Sequence, residues 1–138
     1  MGKEMKIEEV REIRFFDTGA TRNTDKNKLD FEGFLSPLVL ERFAKYMHEN
    51  RIQSDGRIQD SDNWQKGIPI SSYMKSKWRH FMDIWKEYRG IKTPDGMQKS
   101  LCADMFNTMG MLHEVLKEEK PKTKTLWQKI KNLLKRKV

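Results

Sequence analysis

The chain of 138 residues has a single cysteine, Cys102. No disulfide can form within it, and a cysteine-based zinc site has no support. The apolar neighbours of Cys102 read it as a small buried hydrophobe on a helix. Prolines are few, and all four stand where hydrophobic periodicity starts or stops, as expected of a residue that opens or ends helices. No apolar run is long enough to span a bilayer, and no secretory leader precedes the charged stretch Met1–Glu12. These two absences predict a cytoplasmic protein. Histidine is limited to His48, His80 and His113. None lies in a His-Glu-x-x-His arrangement or beside an aspartate, and the Gly-x-Ser-x-Gly elbow is missing. Covalent Ser or Cys catalysis therefore has no positive signal. From Lys120 to Val138 there is no acid but there are eight Lys or Arg. Without that segment the formal charge of +8 falls close to zero. The basic character belongs mainly to the tail and says little about what the rest of the chain binds.

What is abundant is aromatic and thioether surface. Seven Phe, four Trp, three Tyr and nine Met supply enough packing material to argue against disorder despite the 35% charged content. Pro37 follows Ser36 as a first helical residue follows an N-cap, and Leu40, Phe43, Ala44 and Met47 carry a helix to about His48. A second helix opens at Pro69. Met74, Trp78, Phe81, Trp85 and Tyr88 form its stripe, and Gly90 closes it. A third covers about Lys99–Glu118, lined by Leu101, Met105, Met109, Leu112 and Leu116. Gly110 inside it is explained by a close helix crossing or by simple tolerance. Residues 19–28 and 51–67 read as polar loops, the second pinned by Trp64 and Ile68. The expectation is an all-α, compact helical bundle with long N-terminal and inter-helix loops, completed by oligomerisation. Its parts are an N-terminal extension (1–15), a helical domain (16–119) and a basic amphipathic tail (120–138). In that tail Trp127, Ile130 and Leu134 share one face among lysines. It suits an anionic membrane, a nucleic acid, a host protein or a neighbouring subunit.

Three clusters carry possible chemistry. Arg22, Lys26 and Lys28 sit in a loop beside glycine and small residues, where cations can meet phosphate oxygens or simply remain solvated. The spacing is not that of a P-loop. Asp60, Asp62, Asn63, Trp64 and Lys66 form the second cluster. Its carboxylates suit a hard cation and its indole suits a base, although anchoring the loop is the plainer role for Trp64. The third cluster is the polar side of the two long helices. His80, Asp83 and Glu87 stand opposite the Trp78/Trp85 stripe, and Asp104, Asn107 and Glu114 stand away from Leu112. In a lone bundle those faces would be wet. Between two subunits they could enclose Mg2+.

The succession Gly19-Ala-Thr-Arg22, Lys28-Leu-Asp30, a proline-led helix, Asn63-Trp64 with Gly67, Tyr73 and Ser76, Arg79-His80, Leu101-Cys-Ala103 and Phe106-Asn107 resembles the phage and bacterial dATP/dGTP diphosphohydrolase-like proteins. These are distantly related to the all-alpha nucleotide pyrophosphohydrolases of the MazG type. The resemblance spans about Phe16 to Leu116. It implies a helical dimer or tetramer that hydrolyses a (deoxy)nucleoside triphosphate, notably a purine one, to monophosphate and pyrophosphate. The setting it implies is host cytoplasm during phage growth. Mg2+ would lie between Asp83 and Asp104, with Glu87 and Asp95 next. Arg22, Lys28 and Arg79 would neutralise phosphates, and His80 and Asn107 would orient phosphate or water. Asn63 would belong to the nucleotide site, and Trp64 or Tyr73 would face the base. Carboxylate pairs at helical spacing are few, which also admits a non-catalytic accessory protein that binds a nucleotide or a host protein. The tail admits a nucleic-acid binder.

Overall fold

The computed structural model describes residues 12–119 together with 130, 131, 134 and 135. The basic tail expected over 120–138 lies otherwise outside the described residues. Within it Ile130, Lys131, Leu134 and Lys135 are helical and exposed. The chain is mostly helical and divides after Pro37 into two units.

The first unit holds a structure that the all-α expectation did not contain. Strands β1 (Ile13–Phe15) and β2 (Thr21–Asn23) pair antiparallel, with Arg14 opposite Arg22. The bond from Phe16 N–H to the Ala20 carbonyl (3.0 Å) extends the ladder toward the turn, and Gly19 at φ +83° takes the left-handed position there. With three residues per strand the alternation is too short to separate from an irregular loop. The division between extension and domain expected after residue 15 falls between these two strands. Helix α1 (Phe31–Phe34) follows, capped by Asp30, whose Oδ1 accepts the Gly33 N–H at 2.8 Å.

The second unit is built on α2 (Pro37–Glu49), α3 (Ile70–Tyr88) and α4 (Gly96–Glu119). The first of these begins at Pro37, as its sequence predicts. The second ends in a Schellman motif: Gly90 N–H donates to the Glu87 carbonyl and Ile91 N–H to the Lys86 carbonyl, with Gly90 at φ +81°. A short connector then returns the chain so that α4 packs along α3. Thr93 ties it down. Its N–H (2.6 Å) and hydroxyl (2.9 Å) both donate to Glu87 Oε1, and its oxygen accepts from the Gly96 N–H.

The face on which α3 meets α4 reverses the expectation. Tyr73 is buried, and Ser76, Lys77, His80, Asp83 and Glu87 are at least partly covered. The stripe Met74, Trp78, Phe81, Trp85 and Tyr88 is exposed, Trp78 by 62% and Tyr88 by 78%. On α4, Asn107 and Cys102 are buried while Leu101, Leu112 and Leu116 are half exposed. The two helices therefore join through small and polar side chains and turn their large apolar stripes outward. Gly110 is what lets them approach: a Cβ there would overlap the Tyr73 ring. Cys102 is buried and unpaired, as its neighbours predict. No described helix is long and apolar enough to cross a membrane.

Candidate functional site

The C-terminal half of α2, the loop that follows it and the joined faces of α3 and α4 enclose a cleft of about 600 Å3. That is within the size range of small-molecule sites. The loop is folded as a miniature hairpin. Ile52 bridges Ile58, Gly56 turns it at φ +80°, and the Gln59 N–H returns to the Arg51 carbonyl at 2.9 Å. This return sets Gln59 and Asp60 beside Arg51 at the rim. The chain then enters a 3-10 turn (Asn63–Lys66) that brings Asn63 and Trp64 over the helices.

Trp64 is held by rings. It lies edge-on to Phe106 at 6.5 Å and to His113 at 4.8 Å between centroids. Phe106 in turn meets Tyr73 at 5.8 Å. Trp64 is thus both the anchor of its loop and a wall of the cleft. Asn107, only 3% exposed, closes the floor. Its Nδ2 donates to the Ala103 carbonyl (2.9 Å) and to Ser76 Oγ (3.4 Å). Both N–H groups are committed, and the capacity left to the amide is its carbonyl oxygen, an acceptor. His80 stands on α3 one turn beyond Ser76, and His48 and Arg51 come from the end of α2. The Arg51 Nε is cut off from solvent and has no partner among the described residues, a state that costs free energy until an acceptor arrives. Tyr46 also lines the cleft. Burial, then the nearby Asp95 carboxylate, raises its pKa, so it stays a neutral hydroxyl at physiological pH.

Of the residues singled out in the sequence, the cleft gathers Asp60, Asn63, Trp64, His80 and Asn107. Tyr73 lies one layer beneath, against Phe106 and Gly110. Arg79 is exposed on α3 and is not part of the lining. Arg22 and Lys28 line a separate recess in the first unit. His48, Arg51 and Gln59 were not singled out. The signal was a His and an Arg three residues apart at a helix end, entering a polar loop.

The four carboxylates expected to hold Mg2+ do not converge on one point, and of them only Glu87 and Asp95 line a common recess. Both oxygens of Asp104 accept from Lys77 Nζ, at 2.8 and 3.0 Å, and the same ammonium donates to Thr108. Asp83 faces Lys86 at 3.8 Å. Glu87 is the acceptor that organises Thr93, and those bonds, the backbone N–H first, hold its pKa below the ordinary carboxylate range. Asp95 lines, with Glu87, Arg42 and Lys92, a recess away from the cleft. Among the described residues no three His, Cys, Asp or Glu side chains are placed to share a metal ion. Within one chain this arrangement does not make a Mg2+ cage. No family model matches the chain, and no curated protein or solved structure shows significant similarity to it.

Proposed function

We propose that the cleft binds a (deoxy)nucleoside phosphate. The observation that carries this reading is the company around Trp64: an aromatic wall, amides at floor and rim, and Arg51 with two histidines in one recess of about 600 Å3. An indole offers a base a stacking surface. The side-chain amides of Asn63 and Gln59, with the carbonyl oxygen of Asn107 as an acceptor, match the edge of a base. The guanidinium of Arg51, with its unpartnered Nε, is a fork for a phosphate. Hydrolysis to monophosphate and pyrophosphate is the catalytic form of the same proposal. None of Asp83, Glu87, Asp95 and Asp104 lines the cleft, and Asp60 is the one carboxylate among the described residues of its lining, so the geometry supports binding ahead of turnover.

The test offers the purified chain each ribo- and deoxyribonucleoside triphosphate with and without Mg2+. Bound ligand is measured by calorimetry and products by ion exchange. Saturable binding that weakens in Arg51→Gln upholds the site. Metal-dependent release of monophosphate and pyrophosphate adds the pyrophosphohydrolase activity. Absence of binding with every nucleotide rejects the reading.

We further propose that a second copy of the chain covers the outward stripe of α3. Met74, Trp78, Phe81, Trp85 and Tyr88 leave exposed apolar area on the order of 600 Å2, given the ~200 Å2 that each such side chain presents. That is the upper end for a monomer's largest patch, and close to the ~800 Å2 per partner of a standard interface. An amphipathic helix stripe packs against its own two-fold image without needing a different sequence.

A further inference from the structure

The first unit contains a concentration of positive charge that its own fold does not use. In the register of β1 and β2, Arg14 stands directly opposite Arg22, so both side chains leave the same face of the hairpin. Like charges at opposed positions repel, and a two-stranded hairpin has little else to offset that cost. Lys28 reaches the same recess, which has a volume of about 420 Å3. Two acids also line it, and each is already engaged. Asp25 accepts from Arg14 Nη1 at 2.9 Å, and Asp30 caps α1. Among the described residues neither Arg22 nor Lys28 has an ion-pair partner, and Arg14 Nε is buried with no acceptor. The face of Arg14 is steadied by the Phe16 ring, 5.7 Å away. Two guanidinium forks and an ammonium thus converge on a recess in which a buried donor lacks its acceptor.

We propose that this recess is an anion site for a phosphate-bearing ligand. Arg14 and Arg22 grip its oxygens from the two strands, and Lys28 neutralises it from the loop. Planar guanidinium groups match phosphate oxygens two at a time, and the ammonium adds a point charge. An anion between the arginines turns the cross-strand repulsion into a bridge. The proposal concerns the hairpin alone and does not rest on the nucleotide reading of the cleft.

Titration of the full chain with inorganic pyrophosphate at low salt tests it, followed by calorimetry and by the 31P signal of the ligand. Saturable binding is expected, weakened about tenfold or more in the Arg22→Gln/Lys28→Gln double variant. Both positions are exposed and outside the ion pair that ties Arg14 to Asp25, so unchanged circular dichroism is expected to accompany the loss. Arg51→Gln serves as the control for the phosphate fork of the cleft and is expected to bind pyrophosphate at the hairpin as before, since Arg51 is not part of that recess. A nucleoside triphosphate forms the second arm. If the double variant weakens it by the same factor, the recess takes the phosphates of a nucleotide. If only pyrophosphate is affected, it takes a free polyphosphate. Absence of saturable pyrophosphate binding, or equal affinity in wild type and double variant, overturns the proposal.

Discussion

Tyr73, Phe106 and Trp64 form a relay of rings from the helix crossing to the cleft wall, and its inner end rests on Gly110. Gly110→Ala adds a methyl group where the Tyr73 ring already stands. Overpacking of this kind costs about 1–3 kcal/mol, and the gain in helix propensity returns at most ~1 kcal/mol. A net loss of stability is expected, read as a lower Tm in thermal unfolding. At the outer end, Trp64→Ala removes the surface proposed for the base. Stacking is worth about 1–3 kcal/mol per base, so nucleotide affinity is expected to fall roughly 5- to 150-fold. Asp104 is a contrasting case. Its carboxylate is occupied by Lys77, and Asp104→Asn is expected to leave nucleotide affinity unchanged in calorimetry. A tenfold loss there would return Asp104 to the ligand site and reopen its role as a metal carboxylate. These residues also show what the sequence discloses. Asn63, Trp64, His80 and Asn107 were legible as polar or aromatic residues on loops and polar helix faces. Arg51 was not, because its importance comes from a missing partner that only three-dimensional packing exposes.

Helices were the most legible elements, because caps, closing glycines and apolar spacing all agree over many turns. Pro37 and Gly90 each do what their position predicts, and of the two readings of Gly110 the structure shows the close helix crossing. The orientation of α3 was not legible. Periodicity reports that Trp78, Phe81 and Trp85 share a face, but an apolar stripe made for a second chain has the same spacing as one made for the chain's own core. Here the polar face turns inward. The hairpin of β1 and β2 was hidden for a different reason: three-residue strands carrying Arg14 and Arg22 have too little alternation to register. The connector between α3 and α4 makes a testable claim at this scale. Glu87 is the acceptor on which Thr93 depends, and the bonds from the Thr93 N–H and hydroxyl depress its pKa. A carboxylate with a lower pKa folded than unfolded adds stability above the unfolded value and loses it as pH falls toward the folded one. Glu87→Gln is therefore expected to be less stable than wild type at neutral pH. The gap should narrow as pH drops below about 4.3, the ordinary Glu value. Thermal unfolding across that range measures it, and a constant gap would show that the carboxylate charge is not what holds the connector.

For the whole molecule, the scarcity of buried side chains is the leading fact. Among the described residues only Tyr73, Cys102 and Ala103 form a fully buried apolar set. A chain with helices of 19 and 24 residues ordinarily hides far more. Covering the α3 stripe with a second copy, as proposed, would supply that burial. Light scattering is expected to give twice the 16.5 kDa chain mass or a larger even multiple, and Trp78→Glu with Trp85→Glu is expected to lower it to one chain with loss of stability. A wild-type monomer would reject the proposal. The arrangement of the indoles has a spectroscopic consequence. Trp64 is packed against Phe106 and His113 at the cleft, whereas Trp78 and Trp85 lie on the outward stripe. In a Trp127→Phe background the emission of the chain therefore combines two reporters with different triggers. Nucleotide should quench the Trp64 component with little shift in the rest, while dilution that separates subunits should move the Trp78 and Trp85 emission to longer wavelength. Ligand occupancy and assembly can then be followed in one cuvette, each by its own colour.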